Sequence, residues 1–262
     1  MITVQDITSF LESVAPSHLQ ESYDNSGLIV GSPDDTVTGI LFCLDSTEDI
    51  IEEAVRRNCN MVVAHHPIVF RGLKRFNGSS YVERTVIRAI RERVSVYAIH
   101  TNLDNAYFRG VNSKIAEKLG LTETEILLPK PGQYQAGAGL TGYLSAPMTE
   151  TDFLHHVKNT MNTPCVRHTR LSGRSVNRVA VCGGAGSFLL ADAIRAGADA
   201  FVSADFKYHE FFDAEDKLIV ADIGHFESEQ YTIQLLSDII REKYPTFALH
   251  LTEVRTNPVY YL

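Results

Sequence analysis

The sequence predicts an α/β fold made of two α/β halves, each with mixed, largely parallel sheets flanked by helices. Short apolar runs alternate with amphipathic helical patterns along most of the chain, which is typical of parallel strands joined by helical crossovers. The composition changes at residues 128–139, where glycine, proline and polar residues accumulate. We therefore expect an N-terminal half at residues 1–127 and a C-terminal half at residues 128–262.

The first half opens with a helical pattern at residues 3–14. A strand at residues 39–45, a helix with Ser46 as its N-cap and a strand from Met61 then form a βαβ unit. Its short connections favour parallel neighbours with a right-handed crossover. The remaining elements expected in this half are a turn that leads into a strand at 23–31, a helix at 81–93, a strand at 94–100 and a helix at 111–119.

The second half continues the alternation of strands and helices. Strands are expected at residues 139–146, 165–169, 176–182, 200–204 and 247–251, with a further apolar run from Leu218, and helices at 149–161, 188–196 and 228–243. His155 and His156 lie within the predicted helix at 149–161 without matching donors, and we interpret them as surface or packing residues.

Three apolar runs in the sequence end in side chains that can bind metals. Ligands in α/β proteins gather beyond the carboxyl ends of such strands. Pro67 ends the strand from Met61, so that the two histidines before it can turn to one side. A histidine pair alone also fits one core histidine beside a solvated one. Because the same pattern occurs at the ends of three apolar runs, the sequence favours a metal site. The candidate donors are His65 and His66, His100 and Asp104, and His225 and Glu229.

The donor types and their number favour a pair of divalent ions. Imidazole and carboxylate groups without thiolate suit Zn, Mn, Fe or Co. If the segment after Gly224 is helical, His225 and Glu229 stand four residues apart on one face and reach the same site. Six donors exceed the needs of one open site, so two ions bridged by a carboxylate are the simplest arrangement. This metal site would lie in the cleft between the two halves.

Five segments, taken in order, resemble the Nif-three-like dinuclear-metal family, also called the type 2 GTP cyclohydrolase I family. They are YDNSGLIVG at 23–31, HHP at 65–67, HTNLD at 100–104, SADFKYHE at 203–210 and GHFESE at 224–229. The resemblance covers nearly the whole chain, although the tryptophan usual near the start of the first segment is missing. Only a short stretch between Glu125 and Gly139 stands where longer members carry an inserted domain, so the chain resembles the short form.

The resemblance implies a ligand set, cofactors and an assembly. His100 would lie next to the ions without binding them, and Glu229 would bridge them. The cofactors would be two divalent metal ions, with Zn, Mn, Fe, Co and Mg not distinguished, and the chains would associate as a toroidal homohexamer. The implied ligands are His65, His66, Asp104, His225 and Glu229.

The resemblance also implies a reaction, in which GTP and water give formate and dihydroneopterin triphosphate. His209 or His100 would transfer protons. The candidate phosphate-binding cations are Arg71, Lys74 and Lys207, although the first two also fit a solvated loop. A glycine loop at residues 183–187 fits anion binding and tight packing equally well. Asp24 and Asn25 are typical of a turn, and the alternative is that they point into the site.

Two other functions remain open at this stage. One is a metal-bearing regulatory or scaffold protein that binds a nucleotide or protein partner without turnover. The other is a phosphoesterase or peptidase that uses the same ion pair.

The composition limits the partners of the chain. Lys and Arg total 24 against 32 acidic residues, giving a net charge of −8, which argues against binding to nucleic acid backbones or anionic membranes. The four cysteines are well separated and form no C-x-x-C pair, so a reducing cytoplasm is expected. We expect no signal peptide, because the first residues lack a basic n-region and an apolar run, and no membrane span, because no apolar stretch approaches about 18 residues.

Overall fold

The computed structural model describes residues 1–262, which form two compact units. Unit 1 comprises residues 1–103 and 232–258, and unit 2 comprises residues 104–231 and 259–262. The boundary drawn at residue 128 from composition differs from this division. A helix at 111–119 packs on the sheet of unit 2, and a helix at 232–243 packs on the sheet of unit 1. Long-range packing, which composition does not encode, thus determines which unit each segment joins.

The secondary structure alternates strands and helices, which confirms the predicted α/β class. The strands are β1 Gly27–Val30, β2 Ile40–Cys43, β3 Met61–Ala64, β4 Ser95–Ala98, β5 Thr122–Pro129, β6 Gly137–Thr149, β7 Arg167–His168, β8 Ser175–Ala185, β9 Ala200–Ala204, β10 Ile219–Asp222 and β11 Leu249–Leu251. The α-helices are α1 Val4–Val14, α2 Glu48–Arg56, α3 Tyr81–Glu92, α4 Thr101–Asp104, α5 Val111–Leu119, α6 Glu150–Thr160, α7 Leu190–Arg195, α8 His225–Glu229 and α9 Thr232–Lys243. Short 3₁₀ helices occupy Ser17–Leu19, Ser187–Leu189 and Tyr208–Ala214.

Unit 1 contains a five-stranded sheet in the order β1-β4-β3-β2-β11. The strands from β4 to β11 in this order run parallel, and β1 is antiparallel to β4. Strands β2, β3 and β4 are buried along their whole length, which explains their continuous apolar sequences. Ala64 and Ala98, the last residues of β3 and β4, pair with each other. The residues that follow these two strands therefore leave the sheet at the same edge.

Helix boundaries mostly follow the predicted caps, with one correction in α2. Its N-cap is Thr47 rather than Ser46, and the Thr47 hydroxyl accepts a hydrogen bond from Ile50 N at 3.4 Å. Thr149 caps α6 as predicted, with Asp152 N as donor at 3.1 Å. Gly120 closes α5 at a φ of 71°, a left-handed conformation that favours glycine.

Unit 2 contains a six-stranded mixed sheet in the order β5-β6-β8-β9-β10-β7. Strands β8, β9 and β10 run parallel, whereas the other three pairings are antiparallel, so this sheet is less parallel than expected. The sequence prediction missed β5. No residue of this edge strand is buried, so the pattern of buried and exposed residues that identifies a strand is weak there.

The segment after β10 contains two helices, whereas the sequence predicted a helix at 228–243 and left open whether the residues after Gly224 are helical. Helix α8 ends at Glu229 and α9 begins at Thr232, where the chain passes from unit 2 to unit 1. None of the helices has both the length and the hydropathy that crossing a membrane requires.

Candidate metal centre

The first two candidate ligands continue the path of β3. His65 N donates to Cys43 O at 3.1 Å and His66 N donates to Leu44 O at 2.9 Å. Backbone pairing with β2 and the residue after it therefore extends two residues past the end of β3. Pro67 follows and has no N–H to continue it. The rings of His65 and His66 lie 4.8 Å apart between centroids, with 46° between their planes. The predicted turn of both rings to one side is therefore observed.

His100 completes a group of three imidazoles in unit 1. It follows β4, which is the strand next to β3, and its ring centroid lies 5.2 Å from that of His65 and 5.3 Å from that of His66. One ring nitrogen from each of the three histidines lies within 4.8 Å of the other two. The adjacent carboxyl ends of two parallel strands thus bring together residues that are more than 30 positions apart in the sequence.

Each imidazole in this group has a partner at Nδ1. His65 Nδ1 lies 2.9 Å from Ile99 O, His66 Nδ1 lies 2.8 Å from Asp45 Oδ1, and His100 Nδ1 lies 2.8 Å from Asp24 Oδ1. A carbonyl oxygen only accepts, so His65 Nδ1 donates and the neutral ring carries its lone pair on Nε2. Partners of this kind fix the orientation and tautomer of metal-binding histidines.

Asp24 both makes a turn and holds His100. Its carboxylate accepts hydrogen bonds from Ser26 Oγ at 3.0 Å and from Thr101 N at 3.0 Å, as well as from the Thr101 hydroxyl. Burial opposes ionisation, but the hydrogen bonds from His100 and Thr101 outweigh it and hold the pKa of Asp24 well below its usual range. Asp24 therefore remains an anion behind the His100 ring.

Unit 2 carries a second group of donors, at the start of α8. His225 and Glu229 stand four residues apart on this helix, as predicted, and His225 Nε2 lies 3.1 Å from Glu229 Oε2. His225 Nδ1 lies 2.7 Å from Asp205 Oδ2, a carboxylate that directly follows β9. Burial disfavours the charged ring, but the two carboxylates outweigh this and raise the pKa of His225 to about 11. The hydrogen bond from His225 also lowers the pKa of Asp205.

Asp104 lies near Glu229 within unit 2. One carboxylate oxygen of Asp104 lies within 4.8 Å of one carboxylate oxygen of Glu229. Asp104 O accepts a hydrogen bond from Asn112 Nδ2 at 2.9 Å. Burial raises the pKa of the nearby Cys182 thiol well above its usual range, and the charges of Asp104 and Glu229 add to this effect. Cys182 thus remains a neutral thiol, and the donors of this group are oxygen and imidazole nitrogen.

The glycine loop after Val181 packs closely on these ligands. Gly183 and Gly184 belong to β8, and their amides donate to Asn112 Oδ1 and Ser228 Oγ, each at 2.9 Å. A Cβ on Gly184 would lie 2.5 Å from Glu229 Oε1, and its φ is +62°. These amides already have partners, so the structure favours tight packing over anion binding for this loop.

The remaining predicted site residues are exposed. Arg71 and Lys74 lie in the loop that follows the first histidine pair of unit 1. Lys207 and His209 lie at the 3₁₀ helix of unit 2, where the His209 ring is 5.2 Å from Tyr208 and 6.2 Å from Phe212 between centroids. Their roles toward a substrate stay predictions.

Sequence reasoning missed the partners of the imidazoles. Asp45 and Asp205 had no assigned role, and Asp24 was favoured as a turn residue. A signal was present for two of them, because Asp45 and Asp205 come within two residues of the ends of β2 and β9. Carboxyl ends of parallel strands are the edge at which site residues gather.

The donor chemistry of both groups fits divalent metal ions. Each of the four histidines is oriented through Nδ1 by a carboxylate or a carbonyl oxygen. Imidazole nitrogens and carboxylates are the donors that zinc, manganese, iron and cobalt accept. The buried and half-buried His, Asp and Glu groups are therefore consistent with metal binding.

Comparison with protein families identifies the chain. The model of the Duf34/NIF3 (NGG1p interacting factor 3) family matches residues 2–258. The chain belongs to the DUF34/NIF3 family. A relative from Clostridium perfringens, named GTP cyclohydrolase 1 type 2 homolog, is 30% identical over 241 residues, which cover 92% of each protein. A relative with the same name from Clostridium acetobutylicum is 31% identical over 238 residues, covering 90% of this chain and 88% of the relative.

Solved structures share the NIF3-like fold. A Bacillus cereus protein related to NIF3 superposes with a TM-score of 0.93 at 24% identity, covering 100% of this chain and 99% of the other. A hypothetical protein from Staphylococcus aureus superposes with a TM-score of 0.91 at 26% identity, covering 99% of each chain. The alignment with a Staphylococcus epidermidis relative spans 367 positions, whereas this chain has 262 residues. This chain is thus a short form of the family.

Proposed function

We propose that the protein is a dinuclear metal-dependent hydrolase that acts on GTP. In this proposal two divalent ions are held by His65, His66, Asp104, His225 and Glu229, with Glu229 as the bridge. The observation that carries it is the orientation of the imidazoles by partners at Nδ1, which is the arrangement that metal-binding histidines require. When bound, such ions supply Lewis-acid polarisation and lower the pKa of water towards about 7.

The choice of GTP rests on the names of the relatives. Two relatives about 30% identical to this chain are called GTP cyclohydrolase 1 type 2 homologs. The corresponding reaction consumes GTP and water and releases formate and dihydroneopterin triphosphate. In this reaction water attacks a carbon of the imidazole ring of guanine, and that carbon leaves as formate. The site therefore has to supply an ordered set of donors and an activated water.

The residues of the chain have separate roles in this proposal. His100, held at Nδ1 by the Asp24 anion, exchanges protons with the reacting groups, and His209 is the alternative for this role. Arg71, Lys74 and Lys207 are exposed cations that bind the triphosphate. The glycine loop at 183–187 is not included, because the Gly183 and Gly184 amides already have partners.

Formate release tests the proposal. Protein stripped of metal and then reloaded separately with Zn, Mn, Fe, Co or Mg is incubated with GTP, and formate is measured. We expect release with at least one ion and none with the stripped protein. His66→Ala should abolish release, whereas His155→Ala, a change at an exposed histidine of α6, should leave it intact. Absence of formate with every ion would refute the cyclohydrolase assignment.

Binding without turnover is the second candidate function. The family description itself names an interacting factor, which supports a regulatory or scaffold role. GTP that binds to the metal-loaded protein while no formate appears would favour this role. Release of product from phosphodiesters or peptides by the same samples would instead identify a two-metal phosphoesterase or peptidase.

We also propose that the chains associate as a toroidal homohexamer. This assembly rests on the family resemblance. A light-scattering mass of six times the 29.1 kDa chain would support it, and a mass of one or two chains would contradict it.

A further inference from the structure

Phe70 places an exposed aromatic ring beside the imidazoles of unit 1. Its ring centroid lies 5.6 Å from that of His100, with 78° between the planes. The residue is 46% exposed, so a large part of the ring surface faces solvent. The exposed part of the ring is therefore open to a ligand that lies beside His100.

The loop that carries Phe70 is anchored on both sides of it. Val69 and Leu73 pack against the hydrophobic core of unit 1, and Val69 O accepts a hydrogen bond from Asn25 Nδ2 at 2.6 Å. These anchors hold the intervening chain against the core. The position of Phe70 next to His100 is therefore set by the packing of its neighbours.

Three cations share this loop with Phe70. Arg71, Lys74 and Arg75 are exposed, and none of them forms a hydrogen bond or an ion pair in the structure. On the following helix, by contrast, Arg84 pairs with Glu48 and Arg88 pairs with Glu52. An open aromatic ring with unpaired cations on one short loop matches a ligand that carries both an aromatic ring and phosphate groups.

We propose that Phe70 holds the base of a purine nucleotide by stacking against its heterocycle, and that the phosphates of the nucleotide bind Arg71, Lys74 or Arg75. This inference rests on the proposed function and adds to it the residue that recognises the base. The ring carbon that reacts belongs to the heterocycle. Stacking on Phe70 would hold that heterocycle beside His100, which is the residue assigned to proton transfer.

Binding measurements with two ligands distinguish the contact of Phe70 with the base from the contacts of the cations with the phosphates. Titration calorimetry with GTP and with inorganic tripolyphosphate is carried out on metal-loaded protein, and formate is measured in the same samples. Because stacking of one base contributes a factor of roughly 5 to 100 in affinity, Phe70→Ala should weaken GTP binding by that factor and leave tripolyphosphate binding unchanged. Phe70→Trp should retain GTP binding, and Arg71→Ala should weaken both ligands.

Phe76→Ala provides the matched control. Phe76 lies in the same loop, is 58% exposed and makes no ring contact, so its truncation should change neither affinity. The inference is overturned if Phe70→Ala weakens both ligands equally or neither, if Phe76→Ala has the same effect, or if wild-type protein does not bind GTP. Phe70-dependent GTP binding without formate would refute the cyclohydrolase activity while supporting this inference. Formate release by Phe70→Ala with an unchanged KM for GTP would support the proposed cyclohydrolase activity and overturn this inference.

Discussion

At the scale of single residues, the candidate site depends on the groups behind the histidines. Asp24, Asp45 and Asp205 each place a carboxylate oxygen within 2.8 Å of an imidazole Nδ1. Their charge keeps a proton on Nδ1, which leaves Nε2 of His66 and His225, two of the proposed ligands, as the nitrogen available to a metal. In the proposed site, carboxylates outside the ligand set thereby orient the ligands.

Asp45→Asn tests this dependence at one ligand. Asp45 Oδ1 lies 2.8 Å from His66 Nδ1, and its other oxygen accepts from the Thr256 hydroxyl at 2.8 Å. The substitution keeps the shape and removes the charge, so we expect metal affinity to fall by roughly 10- to 100-fold. Competition with a chromogenic chelator measures this. Asp34→Asn removes the same charge from an exposed position of unit 1 and should leave affinity unchanged. Equal affinities for Asp45→Asn and wild type would contradict the role of Asp45.

At the scale of elements, short connections position the candidate donors, and a buried carboxylate anchors helix α2. Helix α8 begins three residues after β10 and presents His225 and Glu229 on one face. Helix α2 is held in unit 1 through Glu53, whose side chain is 1% exposed. The Glu53 carboxylate accepts from Arg57 Nε at 2.8 Å, from Glu253 N at 3.1 Å and from the Thr252 hydroxyl. This one side chain joins α2 to the segment that follows β11.

Glu53→Gln should destabilise the protein in a pH-dependent way. Burial opposes ionisation of Glu53, but its hydrogen bonds outweigh this and lower its pKa below 4.5. The charged form therefore stabilises the fold at pH values above 4.5, and this contribution is lost as pH falls through the lower folded pKa. We expect a loss of about 2 kcal/mol at pH 7 in the free energy of unfolding. Urea denaturation at pH 7 and at about pH 3.5 should show that the difference in the free energy of unfolding between wild type and Glu53→Gln becomes smaller in acid.

Glu52→Gln is the matched control for this substitution. Glu52 is the preceding residue, its side chain is 64% exposed, and it pairs with Arg88 at 3.1 Å. Exposed ion pairs contribute little, so its removal should cost less than about 0.5 kcal/mol. Similar losses for the two variants would show that the stability of α2 does not depend on the buried carboxylate.

At the scale of the whole molecule, the six candidate donors are divided between the two units. Three histidines lie in unit 1, whereas Asp104, His225 and Glu229 lie in unit 2. The chain passes between the units at Leu103–Asp104, inside α4, and again at Tyr231–Thr232, two residues after Glu229. A third crossing lies at Pro258–Val259, so two of the three crossings are close in sequence to proposed ligands.

Metal removal should lower thermal stability. Under the proposed function, ions that bind only the folded chain stabilise it by about 2.7 kcal/mol at a hundredfold excess over Kd. For a chain of this size, that corresponds to a Tm decrease of roughly 5–10 °C after chelation. Scanning calorimetry of loaded and stripped protein measures the shift. His66→Ala should show a smaller difference between the two states. An identical Tm for loaded and stripped wild type would argue against metal ligation by the folded chain.

Local sequence patterns predicted much of the fold and the candidate donors. Helix α1, the cap of α6 and strand β9 follow from hydrophobic period, capping residues and short apolar runs, all of which act over a few residues. Strand β5 was missed because no residue in it is buried. The N-cap of α2 moved from Ser46 to Thr47, a shift of one residue that local patterns do not resolve.

The sequence by itself determined the α/β class, the apolar strands and the candidate metal donors at their ends, because each of these features depends on residues close to one another in the chain. Only the tertiary structure decided which carboxylate orients which imidazole: Asp24 reaches His100 across 76 positions, and Asp45 reaches His66 across 21. It also placed α9 with unit 1 and α5 with unit 2. Such pairings depend on how strands and helices pack over long separations, and no local pattern of residues specifies them.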